Sequence, residues 1–314
     1  MGIRVNVDGR LGTENDRLIS PLDQGFVFGA SVYETVRTYH GRPFLLDRHL
    51  ERLRRSAAGL NIAVDLAEKE IVSRVEETLA AAANAESYIR IIVSAGLGAL
   101  DYRVGSAGPP TVVVLVKPLP GVPSRFYREG IRAALVDVVR NHPQSVSPHI
   151  KSSNLLNNLL ALREADACGA EEALMLNYRG ELAEGSRTNV FIVKDGVAKT
   201  PSLDAGILAG VTRDLVISVA RERQIETREC RLLPGEVFKA DEVFLTATGK
   251  EILPVVAVSE RVIGDGMPGP VTLELHKAYR EKVRLLMDST PQKGRKSEAR
   301  SIEASRSPSD GDVD

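Results

Sequence analysis

The stretch PHIKSSNLLNNLLALREA, residues 148–165, places Lys151 between a short apolar step and a predicted helix. Ser152 and Ser153 are good helix caps, and apolar residues recur after them at helical spacing as far as about Ala167. A lysine at such a junction has a fixed Cα, so its four-carbon arm can reach into a cleft. A lysine amine becomes a nucleophile when burial or neighbouring cations lower its pKa. Taken alone, however, a lysine in this position is most often a solvated surface charge.

The chain before this stretch has the pattern of a first block of strands and helices. Strand patterns lie at residues 5–7, 26–39, 87–94 and 110–116. Two amphipathic helices are predicted between them, one capped by Asp47 and one starting at Asp65. Prolines and a glycine between residues 118 and 123 then interrupt every regular pattern. We therefore predict a small domain over residues 1–120 and a linker over residues 121–129.

The chain after the predicted linker has the pattern of a larger second block. Strands are predicted at residues 131–139, 225–230 and 242–248, with a hairpin over 172–197 and helices over 212–222 and 271–287. Beyond residue 288 the apolar periodicity stops. We predict a domain over residues 130–287 and a disordered tail over residues 288–314. Because strands and helices mix without strict βαβ alternation, the predicted fold class is α/β of a mixed α+β kind rather than a Rossmann sheet.

Composition narrows the class of protein and its partners. The 314 residues carry a net charge of -1, with 26% charged and 43% hydrophobic residues, as in ordinary soluble globular proteins. The near-neutral charge and the absence of tryptophan argue against a nucleic-acid partner. The apolar runs are too short for a membrane helix and the N-terminus lacks a signal-peptide pattern, so we expect a cytoplasmic protein that binds no membrane.

Cysteine and histidine spacing predicts neither a disulfide nor a metal site. The two cysteines, Cys168 and Cys230, form no CxxC pair, and the five histidines show no ligand spacing. We expect both cysteines to be small buried residues.

Other short motifs carry groups that would complete a site around the lysine. Glu184 precedes a Gly-Ser turn that leads into a strand, where its carboxylate could contact a ring nitrogen. The motif LAGVTRD puts Val211 and Thr212 at a helix start, where free amides and the helix dipole suit a phosphate. Thr248 in FLTATGKEI and Arg52 in RHLERLRRS could add phosphate contacts. Each motif also has an ordinary interpretation as a turn, a cap or a solvated helix face. Only the whole set of motifs together predicts a site around Lys151.

The order of these motifs resembles one family. The motifs DQGFVFGASVYETVR, HLERL, IKSSNLL, EGSRTNVFIVKDG, LAGVTRD and TATGKEILPV follow one another as in the fold type IV enzymes that use pyridoxal 5′-phosphate (PLP). That family includes branched-chain and D-amino-acid aminotransferases and 4-amino-4-deoxychorismate lyase. The resemblance runs from about Val5 to Val283. It implies a small N-terminal domain and a larger C-terminal domain with PLP between them, in a homodimer or a multiple of one.

The resemblance also implies a role for each matching residue. Lys151 would be the Schiff-base lysine and proton shuttle, and Glu184 the partner of the pyridine nitrogen. The residues implied at the phosphate are Arg52, Val211, Thr212 and Thr248. Leu208 would pack against the cofactor ring. The residues expected at the substrate are Phe28, Tyr33, Tyr88, Arg90 and Arg103.

The substrate is the least determined part of the prediction. Tyr88-Ile89-Arg90 resembles the Tyr-x-Arg motif of branched-chain aminotransferases, whose arginine recognises a substrate carboxylate; the other interpretation is a strand arginine that faces solvent. Leu156 replaces the tyrosine that those enzymes carry five residues after the lysine, and KSSNLL resembles the D-amino-acid aminotransferases. We expect transamination between an L-branched-chain amino acid and a 2-oxo acid such as 2-oxoglutarate. A D-amino-acid aminotransferase and aminodeoxychorismate lyase are the alternatives.

Overall fold

The first sheet is built from strands that all lie before residue 120. The computed structural model describes residues 2–64, 67–103 and 107–289. Six antiparallel strands form this sheet: β1 Arg4–Val7, β2 Arg10–Gly12, β3 Ser31–Tyr39, β4 Arg42–Pro43, β5 Ser87–Ser94 and β6 Val112–Pro118. Their order across the sheet is β2-β1-β6-β5-β3-β4. The helices of this part are α1 Gln24–Val27, α2 Leu46–Gly59 and α3 Glu68–Ala82.

The burial pattern of β5 explains why α2 and α3 cover one face of this sheet. Within residues 89–93 every second side chain is fully buried, as expected for a strand with one face in the core. The buried set packs with Leu53 of α2 and Val75 of α3 in one apolar cluster. Tyr88 and Arg90 belong to the alternate set, so they point away from the two helices.

The second sheet contains nine strands, all from the described residues between 131 and 262. These strands are β7 Ile131–Leu135, β8 Glu172–Leu176, β9 Leu182–Gly185, β10 Asn189–Lys194, β11 Val197–Pro201, β12 Thr227–Cys230, β13 Glu242–Ala247, β14 Glu251–Val258 and β15 Arg261–Val262. Their order is β12-β11-β10-β13-β14-β7-β8-β9, and β15 pairs with β14. The pairs β7/β8, β7/β14 and β11/β12 are parallel and the other pairs are antiparallel.

The helices of this part are α4 Ser124–Arg128, α5 Leu156–Ala167, α6 Val211–Glu222, α7 Pro234–Val237 and α8 Pro270–Ser289, with a short 3-10 turn at Leu203–Ala205. α6 and α8 pack on the sheet through an apolar cluster that includes Leu215 and Tyr279. In that cluster the rings of Phe191 and Phe244, from β10 and β13, stack with centroids 4.7 Å apart. Within the residues that the structure describes, no helix is both long and apolar enough to cross a membrane.

The change from one sheet to the other falls between Pro118 and Ile131. The sequence places its linker, residues 121–129, in this interval, and the two-domain division itself stays a prediction. The predicted tail begins at residue 288, whereas α8 continues to Ser289. Residues 290–314 lie outside the described part of the chain.

Several local predictions are wrong. The strand predicted over residues 26–39 begins only at Ser31, because α1 and Gly29, which has φ +67°, come first. The strand predicted over 131–139 ends at Leu135. Asp47 is not a cap: Leu45 in the left-handed region precedes α2, and Asp47 lies in the first turn.

Two further outcomes concern α3 and the cysteines. The predicted helix start at residue 65 lies outside the described residues, and α3 begins at Glu68. The prediction that both cysteines are buried is wrong, since Cys168 is exposed and Cys230 is only half-buried. Burial raises the pKa of the Cys230 thiol.

Candidate active site

A cavity of about 750 Å³ lies where the two sheets meet. Side chains from β3, β5 and α2 line it on one side, and turns of the nine-stranded sheet line it on the other. Most of the residues singled out in the sequence share this lining: Tyr33, Arg52, Tyr88, Arg90, Lys151, Glu184, Leu208, Val211, Thr212 and Thr248. The structure therefore brings together residues that are up to 215 positions apart between Tyr33 and Thr248.

Backbone contacts to the first sheet and to α2 hold Lys151. The Tyr33 N–H donates to the Lys151 carbonyl (2.9 Å), and the Ser153 N–H donates to the Ser31 carbonyl (2.8 Å). The Lys151 N–H in turn donates to the Ser56 hydroxyl of α2 (3.1 Å). The Lys151 ammonium lies 4.5 Å from the centre of the Tyr33 ring, within cation–π range. The root of the side chain is fixed, and its end reaches the cavity.

The helix after this lysine starts later than the sequence suggests. It was expected from Ser152 or Ser153, but α5 begins at Leu156. Ser152 instead forms an isolated bridge with Val32 of β3. This pairing uses backbone groups that a helix would otherwise need, so tertiary structure overrides the local capping preference.

Glu184 is a buried carboxylate with several donors around it. It lies at the end of β9 and is 5% exposed. Its Oε1 accepts from Arg140 Nε (2.8 Å), and its Oε2 accepts from the Leu208 N–H (2.9 Å) and from Asn189 Nδ2 (3.3 Å). Asn189 Nδ2 also donates to the Leu208 carbonyl (2.9 Å). The carboxylate thus has a fixed position and orientation in the cavity wall.

The N-terminus of α6 opens into the same cavity. Gly210 precedes the helix, and no side chain in the described part of the chain caps it. A Cβ at Gly210 would lie 2.0 Å from Asn189 Oδ1, so only glycine fits this close approach. The first amides of a helix have no intrahelical acceptor, and the helix dipole adds positive potential there. Val211 and Thr212 therefore present an anion-binding end to the cavity.

Two buried hydroxyls without a partner lie in the cavity wall. Within the described residues, Thr188 Oγ1 and Thr246 Oγ1 have no hydrogen-bond partner, although both are shielded from solvent. Both residues line the cavity. A buried polar atom without a partner costs about 1–3 kcal/mol, so such atoms in a cavity favour an interpretation as ligand contacts.

Arg52 is held in place by a carboxylate that the sequence analysis did not single out. Arg52 Nε and Nη2 donate to the two oxygens of Glu34 (2.6 and 2.8 Å), and Nη1 donates to the Ala209 carbonyl (2.7 Å). His49 Nδ1 lies 2.7 Å from Glu34 Oε2. Burial alone would raise the pKa of Glu34. The charge and hydrogen bonds of Arg52, together with the hydrogen bond and charge of His49, outweigh burial and lower this pKa to about 2. Burial lowers the pKa of His49.

We expect Glu34→Gln to lower the free energy of unfolding at pH 7 by about 3–5 kcal/mol, because the buried Arg52 then loses its ionic partner. The pKa of Glu34 is depressed in the folded state, so its contribution is complete above the ordinary value of 4.5 and is lost as the pH falls toward 2. The difference in the free energy of unfolding between wild type and Glu34→Gln should therefore become smaller as the pH falls. Urea unfolding at pH 7 and at pH 3 measures it.

The matched control is Glu68→Gln, which removes an exposed ion pair with Arg54. We expect this change to cost less than about 1 kcal/mol at either pH. A Glu34→Gln penalty that is the same at both pH values, or no larger than the control, would contradict the assignment.

Aromatic rings and cations alternate along the first-sheet wall. Arg90 Cζ lies 3.9 Å from the centre of the Tyr33 ring, on which Lys151 also lies. Lys117 Nζ lies 5.0 Å from the centre of the Tyr88 ring. The Tyr88 hydroxyl is 3.3 Å from Thr35 Oγ1. Arg90 thus faces the cavity.

Phe28 and Arg103 are not brought into the cavity lining. The Phe28 ring packs against Tyr102, with centroids 4.9 Å apart. The Arg103 side chain is 88% exposed, and its Nε lies 3.6 Å from Asp101 Oδ2. Both residues lie on the surface formed by α1 and the segment after β5.

The sequence signature of Amino-transferase class IV matches residues 31–258, which is more than half of the chain. The protein therefore belongs to the class IV aminotransferases, and the family resemblance of its motifs is confirmed. The mixed α/β fold is confirmed as well. The branched-chain aminotransferase of the archaeon Thermoproteus uzoniensis, solved with norvaline, superposes with a TM-score of 0.83 at 33% identity, over 90% of this chain and 95% of that one.

Individual relatives differ in the activity that their names carry. A Methanocaldococcus jannaschii protein with the provisional name branched-chain-amino-acid aminotransferase is 37% identical over 279 residues, 89% of this chain and 96% of that protein. The aminodeoxychorismate lyase of Bacillus subtilis is 33% identical, over 89% and 94%. The D-alanine aminotransferase of Bacillus licheniformis is 30% identical, over 90% and 97%.

Proposed function

We propose that this protein uses PLP to transfer an amino group between an L-branched-chain amino acid and a 2-oxo acid. The observation that carries the proposal is the shared cavity. It contains an amine at Lys151, a buried carboxylate at Glu184 and the anion-binding start of α6. These groups match the aldehyde, the ring nitrogen and the phosphate of PLP.

The residues of the cavity fit the cofactor. The Lys151 amine would hold its aldehyde, and Glu184 its ring nitrogen. Its phosphate would lie at the amides of Val211 and Thr212, with Thr248 and Arg52 beside it. Leu208 would lie against the ring. The unpaired hydroxyls of the cavity wall support a polar ligand of this kind.

The chemistry follows from what each side chain can do. When bound, PLP supplies an electron sink for the electron pair that remains when the substrate Cα loses its proton. The Lys151 amine takes up that proton and delivers it elsewhere, acting first as a base and then as an acid. The Glu184 carboxylate keeps a proton at the ring nitrogen, and the Arg140 guanidinium pairs with that carboxylate and holds it in place. Tyr33 limits where the Lys151 amine can lie.

The placement of Tyr88 and Arg90 supports the branched-chain assignment. Both line the cavity on the strand face opposite the core, so the arginine can receive a substrate carboxylate. Leu156 is largely exposed and does not line the cavity.

A panel of substrates tests this proposal. We expect L-leucine, L-isoleucine and L-valine to form glutamate from 2-oxoglutarate, measured by coupled detection of glutamate. Conversion of D-alanine but of none of these three would select the D-amino-acid aminotransferase. Release of 4-aminobenzoate without any 2-oxo acid would select the lyase.

We further propose a homodimer of two-domain subunits. The surface around α1 exposes several large apolar side chains, among them Phe26, Leu97, Leu100 and Tyr102. An apolar patch of this kind usually marks a protein interface. Phe28 and Arg103, which do not line the cavity, lie on the same surface. A molecular mass in solution equal to that of a single chain would contradict the proposed homodimer.

A further inference from the structure

Glu251 is the first residue of β14, and its carboxylate is buried, with the residue 4% exposed. It pairs with Ala247 of β13, so these two residues close the turn of residues 248–250. Thr248 and Lys250 of this turn line the cavity, whereas Glu251 is not among the described lining residues. Its φ of +57° lies in the left-handed region, which is uncommon for a residue other than glycine. Such a backbone conformation persists only where the surrounding contacts hold it.

Four side chains contact the Glu251 carboxylate, two from the first sheet and two from α8. From β3, Arg37 Nη1 (3.2 Å) and the Tyr39 hydroxyl (2.7 Å) donate to Oε1. From α8, Arg280 Nε donates to Oε2 (2.8 Å), and His276 Nε2 lies 3.1 Å from the same oxygen. Burial alone would raise the pKa of Glu251. The hydrogen bonds of His276, Tyr39 and Arg280 outweigh burial and lower this pKa to about 2. The ionised carboxylate thus joins the first sheet to α8 at the base of the turn.

Tyr127 of α4 holds the same turn from a second direction. Its hydroxyl donates to the Lys250 carbonyl (3.1 Å). Its ring stacks on the His276 ring, with centroids 4.9 Å apart. The residue next to Glu251 is therefore fixed by a side chain that also packs on one of the Glu251 partners.

The cluster around Glu251 also reaches the start of α6 through Tyr279. This tyrosine of α8 is fully buried. Burial and the charge of Glu251 raise the pKa of its hydroxyl, and hydrogen bonds with Tyr39 and Thr212 oppose this shift. Thr212 lies in the first turn of α6, at the end that opens into the cavity. The two elements that carry Thr212 and Thr248 thus contact one buried cluster.

We propose that Glu251 is a positioning residue that holds Thr248 and Thr212 in place for the phosphate of PLP. It acts through the turn that it closes and through the hydroxyls of Tyr39 and Tyr279. This inference rests on the proposed function, which puts the phosphate at these two threonines. Without the carboxylate, the ligand itself must order the turn, and binding that has to order a loop is weaker.

PLP and pyridoxal, which differ only in the phosphate, separate this role from a general loss of stability. The wild-type chain freed of PLP should bind PLP more tightly than pyridoxal, as measured by absorbance titration. We expect Glu251→Gln to lower the ratio of the two affinities by roughly tenfold, the loss expected when a hydrogen bond to a charged group is weakened. The affinity for pyridoxal should change much less, because the contacts proposed at Lys151 and Glu184 do not involve the turn.

The matched control is Glu242→Gln. Glu242 is buried at the other end of β13 and accepts from the Val271 and Thr272 N–H groups at the start of α8 (2.9 and 2.7 Å). It contacts the same helix but is not among the described residues that line the cavity. This variant should lose stability and keep the wild-type ratio. An equal fall of the ratio in both variants, or no fall in Glu251→Gln, would overturn the inference.

Tyr39→Phe is a milder second variant. It removes the hydroxyl that donates to Glu251 and keeps the aromatic ring, so we expect the chain to fold. The ratio should fall in the same direction, by roughly two- to fivefold, because one hydrogen bond of the cluster is lost. If Glu251→Gln does not fold, this variant decides alone, and an unchanged ratio overturns the inference.

Hydrogen exchange gives a second readout that needs no cofactor. In the chain freed of PLP, the amides of residues 248–250 and of the first turn of α6 should exchange faster in Glu251→Gln than in Glu242→Gln. Equal exchange rates at these amides in the two variants would contradict the positioning role. A wild type that binds no PLP would overturn the proposed function, while the exchange rates would still test Glu251.

Discussion

Replacing Lys151 with alanine is expected to lower kcat/KM by at least about 10⁴-fold. In the proposed function, the amine serves both as the covalent attachment point and as the group that moves a proton at the substrate Cα, and proton transfer alone contributes roughly 10²- to 10⁴-fold. The contacts that hold residue 151 come from its backbone, through Tyr33 and Ser56, and alanine keeps them. The variant should therefore fold normally and lose activity. Steady-state kinetics and thermal unfolding measure the two effects.

Two controls accompany the Lys151 variant. Lys151→Arg keeps the charge near the Tyr33 ring but has no primary amine, so we expect it to be as inactive as the alanine variant. Lys277→Ala removes a lysine exposed on α8 and should retain full activity. Residual activity of Lys151→Ala above about one percent of wild type would show that another group carries the chemistry.

Glu184→Gln is expected to lower kcat by roughly 10²- to 10³-fold with a smaller effect on KM. Glutamine has nearly the same shape, and its carbonyl oxygen can still accept from the Leu208 N–H. It lacks the negative charge that, in the proposed function, keeps a proton at the ring nitrogen, and an electrostatic contribution of this kind has this size. The absorbance of the bound cofactor should shift as well, because the protonation of its ring changes.

The same substitution has a structural cost that must be separated from the catalytic one. It leaves the buried Arg140 without its ionic partner, so the free energy of unfolding should fall by up to about 3–5 kcal/mol. Glu184→Asp keeps the charge with a side chain one methylene shorter and should recover the cofactor absorbance in part. A glutamine variant with wild-type kcat and absorbance but lowered stability would show that Glu184 only anchors Arg140.

The motifs predicted the main groups of the site because each lies in a short, ordered stretch. Lys151, Glu184 and the α6 start each follow local sequence patterns, and the alternation of β5 places Tyr88 and Arg90 on the face away from the core. The structure confirms that these residues share one cavity. Their individual roles stay predictions.

The supporting residues could not be predicted in the same way. Arg140 contacts Glu184 across 44 positions, and Glu34 contacts Arg52 across 18. No periodic pattern connects residues that meet only when two sheets pack together. A signal was available only for Glu34, which lies beside Tyr33 inside a motif that the resemblance already used.

The start of α5 shows the limit of local reasoning most clearly. Ser152 and Ser153 are strong capping residues, but their backbone pairs with β3, so the helix starts at Leu156. The shift leaves Lys151 outside the helix, with its carbonyl bonded to β3. The error in the helix boundary thus comes from the same contacts that position the lysine.

The most direct test of the account is to find where the cofactor attaches. Holoprotein purified with PLP is reduced with borohydride, digested and analysed by mass spectrometry. Among the described residues, three lysines line the cavity, Lys117, Lys151 and Lys250, so the position of the adduct is informative. We predict that the adduct lies on Lys151; an adduct on Lys117 or Lys250, or none at all, would contradict the proposed site.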